Sequence, residues 1–132
     1  MGNTTACACV QCKGIRGTVC FYRQRHGLWV KAEIYGLEDG FHGFHIHEGS
    51  DCGHAGGHFA PGGTQHPDHA GDLPPLLSCD GRSCMEFWTG RLSLEEVLGK
   101  VVVIHEKRDD FTTQPSGDAG AMIACGVIRL CK

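Results

Sequence analysis

In the stretch Leu28-Trp29-Val30-Lys31-Ala32-Glu33-Ile34-Tyr35, Val30, Ala32 and Ile34 share one side of an extended chain while Lys31 and Glu33 take the other. A period of two is that of a strand with one buried face. The rest of the chain carries only short apolar runs. Its 20 glycines and 5 prolines, with punctuation such as Glu38-Asp39-Gly40, leave no room for long amphipathic helices. An all-β fold follows, with strands expected at about 4–12, 15–22, 28–35, 41–47, 84–91, 100–105 and 122–130. Seven or eight strands make a sandwich or a barrel, and residues 93–98 fit a short turn of helix. Two segments break the pattern: 48–78 and 106–120 are polar and rich in Gly, Pro, His and Asp. Long loops within a compact domain are usually functional.

At 132 residues the chain is expected to form one domain spanning 1–132. A net charge of -3 argues against nucleic acid or an anionic membrane as the main partner, since both select a basic face. A small partner is the expectation. Residues 1–12 show no basic start followed by an apolar stretch, and no segment has the length of a membrane span. A cytoplasmic location is expected on that ground, or a secreted one if a leader has been removed.

Nine cysteines, an odd number, leave at least one thiol unpaired unless a metal or another chain takes it. Cys7, Cys9 and Cys12 form a C-x-C-x-x-C run without a second half nearby, so they read as small strand-filling residues rather than a thiolate site. Cys79 and Cys84 bracket Asp80-Gly81-Arg82-Ser83, and Asp-Gly signals a tight hairpin. A cross-strand disulfide between them is one expectation.

The histidines carry the chemistry. Between His45 and Asp72 stand six candidate metal ligands: His45, His47, His58, His66, His69 and Asp72. In His45-Ile46-His47 the two imidazoles leave a strand on the same side and can share an ion, while Ile46 turns to the core. His66, His69 and Asp72 come at steps of three and supply two nitrogens and a carboxylate, a set that suits tetrahedral zinc given a fourth ligand. His42 falls on the other side from His45 and reads as a structural histidine bonded to a buried carbonyl. His54 and Asp68 are weaker candidates for either set.

The blocks Gly43-Phe44-His45-Ile46-His47-Glu48, Gly57-His58-Phe59-Ala60-Pro61, His69-Ala70-Gly71-Asp72-Leu73, Val103-Ile104-His105-Glu106-Lys107 and Gly117-Asp118-Ala119-Gly120, the last leading into Ala124-Cys125-Gly126-Val127-Ile128, resemble the Cu/Zn superoxide dismutase family in content and order. The resemblance implies an eight-stranded antiparallel Greek-key barrel, a variety of immunoglobulin-like sandwich, with the metal site outside it under two long loops. It implies copper bound by His45, His47, His58 and His105, and zinc bound by His58, His66, His69 and Asp72. His58 would bridge the ions and act as ligand and proton donor while superoxide is converted to dioxygen and hydrogen peroxide. It also implies a Cys52–Cys125 disulfide and a carboxylate, Asp109, linking one copper ligand to one zinc ligand. A copper chaperone is a further partner the resemblance suggests.

The chain departs from the family at Met122, three residues before Cys125, where the family places an arginine at the mouth of the copper channel. A thioether attracts no anion, so weaker steering of superoxide is expected; Lys107 and Arg108 are the basic residues nearby in sequence. The loops from His47 to Cys52, from His66 to His69 and from Asp109 to Gly117 are short relative to the family, and Arg129 stands where a small residue is usual in the closing strand. Monomer and homodimer both stay open. The competing reading of function is a weak or inactive metal-binding or decoy homologue.

Overall fold

A computed structural model describes residues 5–131 of the chain. Residues 1–4 and 132, which the first predicted strand and the 1–132 domain span include, lie outside the described residues. The strands are β1 (Thr5–Cys12), β2 (Ile15–Arg23), β3 (Leu28–Tyr35), β4 (Gly40–His42), β5 (Phe44–His47), β6 (Leu76–Ser78), β7 (Arg82–Thr89), β8 (Val101–His105) and β9 (Met122–Leu130), with one helical turn, α1 (Leu94–Val97), between β7 and β8. Seven of them form a sheet in the order β5-β8-β9-β1-β2-β3-β7, and β4 pairs with β6; every pairing is antiparallel.

The small ribbon joins the two ends of the large sheet. β4 runs into β5 at one end, and β6 turns directly into β7 at the other, so the sheet curls on itself as a Greek-key barrel. With β4 and β5 taken as two halves of one strand, the count is the eight expected. The strand foreseen over 41–47 is broken at Gly43, whose N–H donates to Lys107 O at 2.8 Å and whose carbonyl accepts from His105 N at 2.9 Å. A β carbon at Gly43 would stand 2.8 Å from that of Ala119, so the break needs a residue without one.

The core follows the alternation read from the sequence. Leu28, Val30, Ala32 and Ile34 of β3 are fully buried, as are Ala6 and Ala8 of β1 and Val19 and Phe21 of β2. Around α1, Ser93 and Glu96 cap each other reciprocally, and Leu94 and Val97 enter the core. No helix among the described residues is long and apolar enough to cross a membrane.

Three expectations are corrected. The segment 48–78 is not all loop: Leu76 is buried and Leu77 exposed in β6, a strand too short beside Pro74-Pro75 for its alternation to register. Asp80 and Gly81, at φ 54° and 73°, form a two-residue turn that puts Cys79 opposite Arg82. Cys84 therefore pairs with Glu33 on β3, and Cys79 and Cys84 are both exposed free thiols rather than a disulfide. Finally, Cys7 is no mere strand filler, because β9 beside β1 brings Cys131 to a Cα distance of 6.0 Å and the two are bonded.

Ile46 is fully buried between two candidate ligands, and truncating it leaves a cavity beside the metal-binding strand. Ile46→Ala is expected to lower unfolding free energy by about 2–5 kcal/mol, read from urea unfolding curves. A loss under about 0.5 kcal/mol would mean that Ile46 does not anchor β5.

Candidate metal centre

The outer edge of β5 has no strand beside it, and the chain after β5 folds back to supply the missing partners. Glu48 N donates to Gly57 O at 2.9 Å, Phe59 N to Ile46 O at 2.7 Å, Ile46 N to Gly71 O at 2.8 Å and Leu73 N to Phe44 O at 3.2 Å. These bonds place His58 opposite His47 and Asp72 opposite His45. From the other edge, β8 delivers His105 at a register shift just after Ile104. The result gathers one ring nitrogen each of His45, His47, His58 and His105 within 4.8 Å of one another.

Each of those rings is oriented through its other nitrogen. His47 Nδ1 donates to Gly56 O at 2.7 Å and His105 Nδ1 donates to Gly120 O at 3.0 Å. His45 Nε2 bonds Asp109 Oδ2 at 2.8 Å, and His58 Nδ1 bonds Asp72 Oδ1 at 2.6 Å. A proton fixed on one nitrogen leaves a lone pair on the other. His45 Nδ1 and the Nε2 atoms of His47, His58 and His105 are all buried without a hydrogen-bond partner. Leaving one buried polar atom unpaired costs about 1–3 kcal/mol. Four that converge constitute a ligand set, and imidazole nitrogen is a donor that suits copper.

A second set lies on the far side of His58. His66 Nδ1 and His69 Nδ1 stand 3.1 Å and 3.0 Å from Asp72 Oδ2, and His69 Nδ1 is 3.2 Å from His58 Nδ1. Three imidazole nitrogens and a carboxylate are the donors of a tetrahedral zinc site. His45 also lies within 4.8 Å of His58, His66 and Asp72, but its Nε2 is occupied by Asp109 and its free Nδ1 is one of the first four. The Asp109 carboxylate spans the two sets, with Oδ2 on His45 and Oδ1 on His66 Nε2 at 2.6 Å.

Burial sets the charge states. It lowers the His45 pKa to about 3, with the nearby His58 adding to the effect, and that of His47 to about 4; His105 shifts the same way for the same first reason. These rings are neutral, as ligands must be. Burial pushes the Asp72 carboxyl upward, but its hydrogen bond from His58 and the charges of His58, His66 and His69 outweigh this and hold it at about 2. In Asp109, too, burial raises and the bonds from His45 and His66 prevail, lowering the pKa.

Several supports escape sequence reasoning. Gln114 accepts from His66 N at 3.0 Å and returns a bond to His66 O, and Arg91 Nη1 donates to Pro67 O and His69 O at 2.9 Å and 3.0 Å. A single glutamine or arginine in a loop carries no motif. At Gly117, φ is 77° and a β carbon would run into Asp109 and His66. His54 is exposed and bonded to Asp51 at 3.0 Å, and Asp68 is exposed and 3.7 Å from Arg91, so neither joins a set. His42 bonds His105 O at 2.9 Å and Glu38 O at 2.8 Å, the structural role read for it. Cys52 and Cys125 are joined, tying the loop after β5 to β9. Met122 opposes His105 across the β8–β9 pairing and is 43% exposed.

The family model described as copper/zinc superoxide dismutase matches residues 15–128. The chain belongs to the copper/zinc superoxide dismutase family. Relatives include Superoxide dismutase [Cu-Zn] of Deinococcus radiodurans, 36% identical with 87% of this chain and 78% of that protein covered. Superoxide dismutase [Cu-Zn] A of Xenopus laevis is 36% identical over 89% of this chain and 91% of its own length. That of Legionella pneumophila is 36% identical over 86% and 77%. Copper and zinc are the cofactors of this family, and both donor sets fit them.

Two tests follow from the geometry. An amide at position 109 cannot accept from both His45 and His66, so Asp109→Asn is expected to weaken metal retention about 10–100-fold in chelator competition, whereas wild-type affinity would show the link to be idle. Between about pH 6.5 and the lowered values of His45 and His47, the unfolded chain binds more protons than the folded one. The metal-stripped protein should therefore lose stability as pH falls from about 7 to about 4, while Asp72 withdraws its contribution only below about pH 4. A urea midpoint constant from pH 7 to 5 would contradict the buried, neutral histidines.

Proposed function

We propose that this chain is a copper/zinc superoxide dismutase in which His45 Nδ1 and the Nε2 atoms of His47, His58 and His105 hold copper, and the Nδ1 atoms of His58, His66 and His69 with the Asp72 carboxylate hold zinc. The observation that carries the reading is His58. Its Nδ1 faces Asp72 and His69 while its Nε2 is one of the four buried, unpartnered nitrogens, so one imidazole belongs to both donor sets.

Copper, when bound, supplies the one-electron couple by which two superoxide anions and two protons become dioxygen and hydrogen peroxide. The protein's part is orientation and proton handling. With Nδ1 retained among Asp72, His66 and His69, His58 can hold a proton at Nε2, on the side where the product forms, and give it up as a general acid. His47 and His105 keep their rings fixed by carbonyls, and Asp109 makes the posture of His45 depend on that of His66.

Met122 is the residue by which this chain differs from the family's usual substrate guidance. Its exposure and its place opposite His105 support a position beside the copper ligands, where a neutral side chain leaves the anion without a guide.

Superoxide decay followed directly, on protein with its copper and zinc content measured in the same sample, should be catalytic in wild type and fall to the uncatalysed rate in His58→Ala. Full metal occupancy with no catalysis would overturn the reading in favour of a metal-binding decoy. Met122→Arg should raise the rate and make it more sensitive to salt; electrostatic steering typically spans about ten- to a thousandfold in association rate. If neither the rate nor its salt dependence moves, position 122 lies away from the substrate path.

A further inference from the structure

Five of the nine cysteines border one groove on the outer surface, away from the donor sets. It measures about 580 Å³ and is lined by Cys7, Cys9 and Cys131 together with the Cys52–Cys125 bridge. Ala6, Ala8 and Val10 point into the core, so Cys7 and Cys9 project outward from β1; Val19 and Phe21 do the same for Cys20 on β2. Cys7 is the direct ladder partner of Cys20. Its Sγ is bonded to Cys131 and at the same time lies 3.0 Å from the free thiol of Cys20.

We propose that Cys7, Cys20 and Cys131 form a thiol–disulfide exchange site in which Cys7 is shared by two alternative disulfides. The Cys20 thiolate attacks Cys7 Sγ; the Cys7–Cys20 bond forms, the Cys7–Cys131 bond breaks, and the electron pair leaves on Cys131 Sγ. The proton given up by Cys20 returns, through solvent, to Cys131. One disulfide and one thiol stand on each side of the step, so no oxidant or reductant is consumed.

Geometry admits both bridges. Cys7 and Cys131 have Cα atoms 6.0 Å apart. Residues directly opposed on antiparallel strands are separated by about 4.5–5.5 Å, inside the range of about 4.4–6.8 Å that a disulfide spans, and the Cys7 and Cys20 sulfurs already stand 3.0 Å apart, so a Cys7–Cys20 bridge is within reach. The product differs from the reactant in where the thiol sits. Cys20 is half-buried between strands, whereas Cys131 is exposed, so exchange moves a nucleophile to the surface, where a low-molecular-weight disulfide can take it as a mixed disulfide.

Attack by Cys20 is slow near neutrality. Burial raises the Cys20 pKa and Cys9 adds to it, against Tyr22 and Thr18 on the same strand and Lys31 opposite on β3. Arg129, the ladder partner of Cys7 on β9, Arg16 on β2, Glu33 on β3 beside Lys31, and Glu86, the ladder partner of Lys31 on β7, are the other charged groups on this face. Only the thiolate attacks, so exchange speeds up as pH rises.

The test uses metal-loaded protein in a Cys9→Ser, Cys12→Ser background, which leaves Cys7 as the one cysteine of its tryptic peptide. After anaerobic incubation at pH 7 and at pH 9.5, acid quenching and maleimide capture, non-reducing peptide mapping should show a Cys7–Cys20 link with Cys131 alkylated, more at the higher pH. Adding Cys20→Ser should abolish both signals. Cys7–Cys131 as the sole pairing at both pH values, or Cys131 alkylated equally without Cys20, would overturn the proposal. A second variant keeps the geometry in question: with Cys131→Ser under oxidised glutathione, Cys7 and Cys20 should join. Their persistence as separate glutathione adducts would show that the two sulfurs cannot pair.

Discussion

The metal centre exists because β5 has an unpaired edge. A strand edge offers a row of N–H and C=O groups that must be satisfied, and here the chain that follows β5 satisfies them with its own backbone at Gly57, Phe59, Gly71 and Leu73. Those bonds fix the loop's register against His45 and His47, so His58 and Asp72 arrive opposite the ligands they accompany. If the loop detached, His45 and His47 would remain on the strand with half of each donor set gone. The Cys52–Cys125 bridge and the Arg91 bonds to Pro67 and His69 hold the two flanks of the same loop.

The barrel and the centre use one stretch of backbone for different ends. Within Phe44-His45-Ile46-His47, Phe44 and Ile46 fill the core while the intervening imidazoles face the loop, yet all four residues are buried. Gly43 lets this happen by turning the chain from β6 toward β8 in close contact with the 117–120 segment, which carries the carbonyl that orients His105.

How much of this could be read beforehand depends on the range of the interactions. The strand alternation of Leu28–Tyr35, the His-x-His pair and the Asp80-Gly81 turn are local, and each stands in the structure as the residues imply. β6 escaped because three residues are too few to show a period. The Cys7–Cys131 bond escaped because it joins residues 124 apart, and nothing near either cysteine shows that β9 lies beside β1. Gln114 escaped for a similar reason: its partners are the backbone atoms of His66, which no side-chain pattern records.

The two ways of orienting a ligand ring carry unequal mutational exposure. His47 and His105 are held by the backbone carbonyls of Gly56 and Gly120, which depend on the backbone's course rather than on a side chain, and both glycines stand at positive φ, 71° and 82°. His45 and His66 depend on the two oxygens of one aspartate, and a single codon change removes both supports together. Disturbance at Gly56 or Gly120 reaches one ring, whereas the loss of the aspartate at position 109 disturbs both donor sets at once.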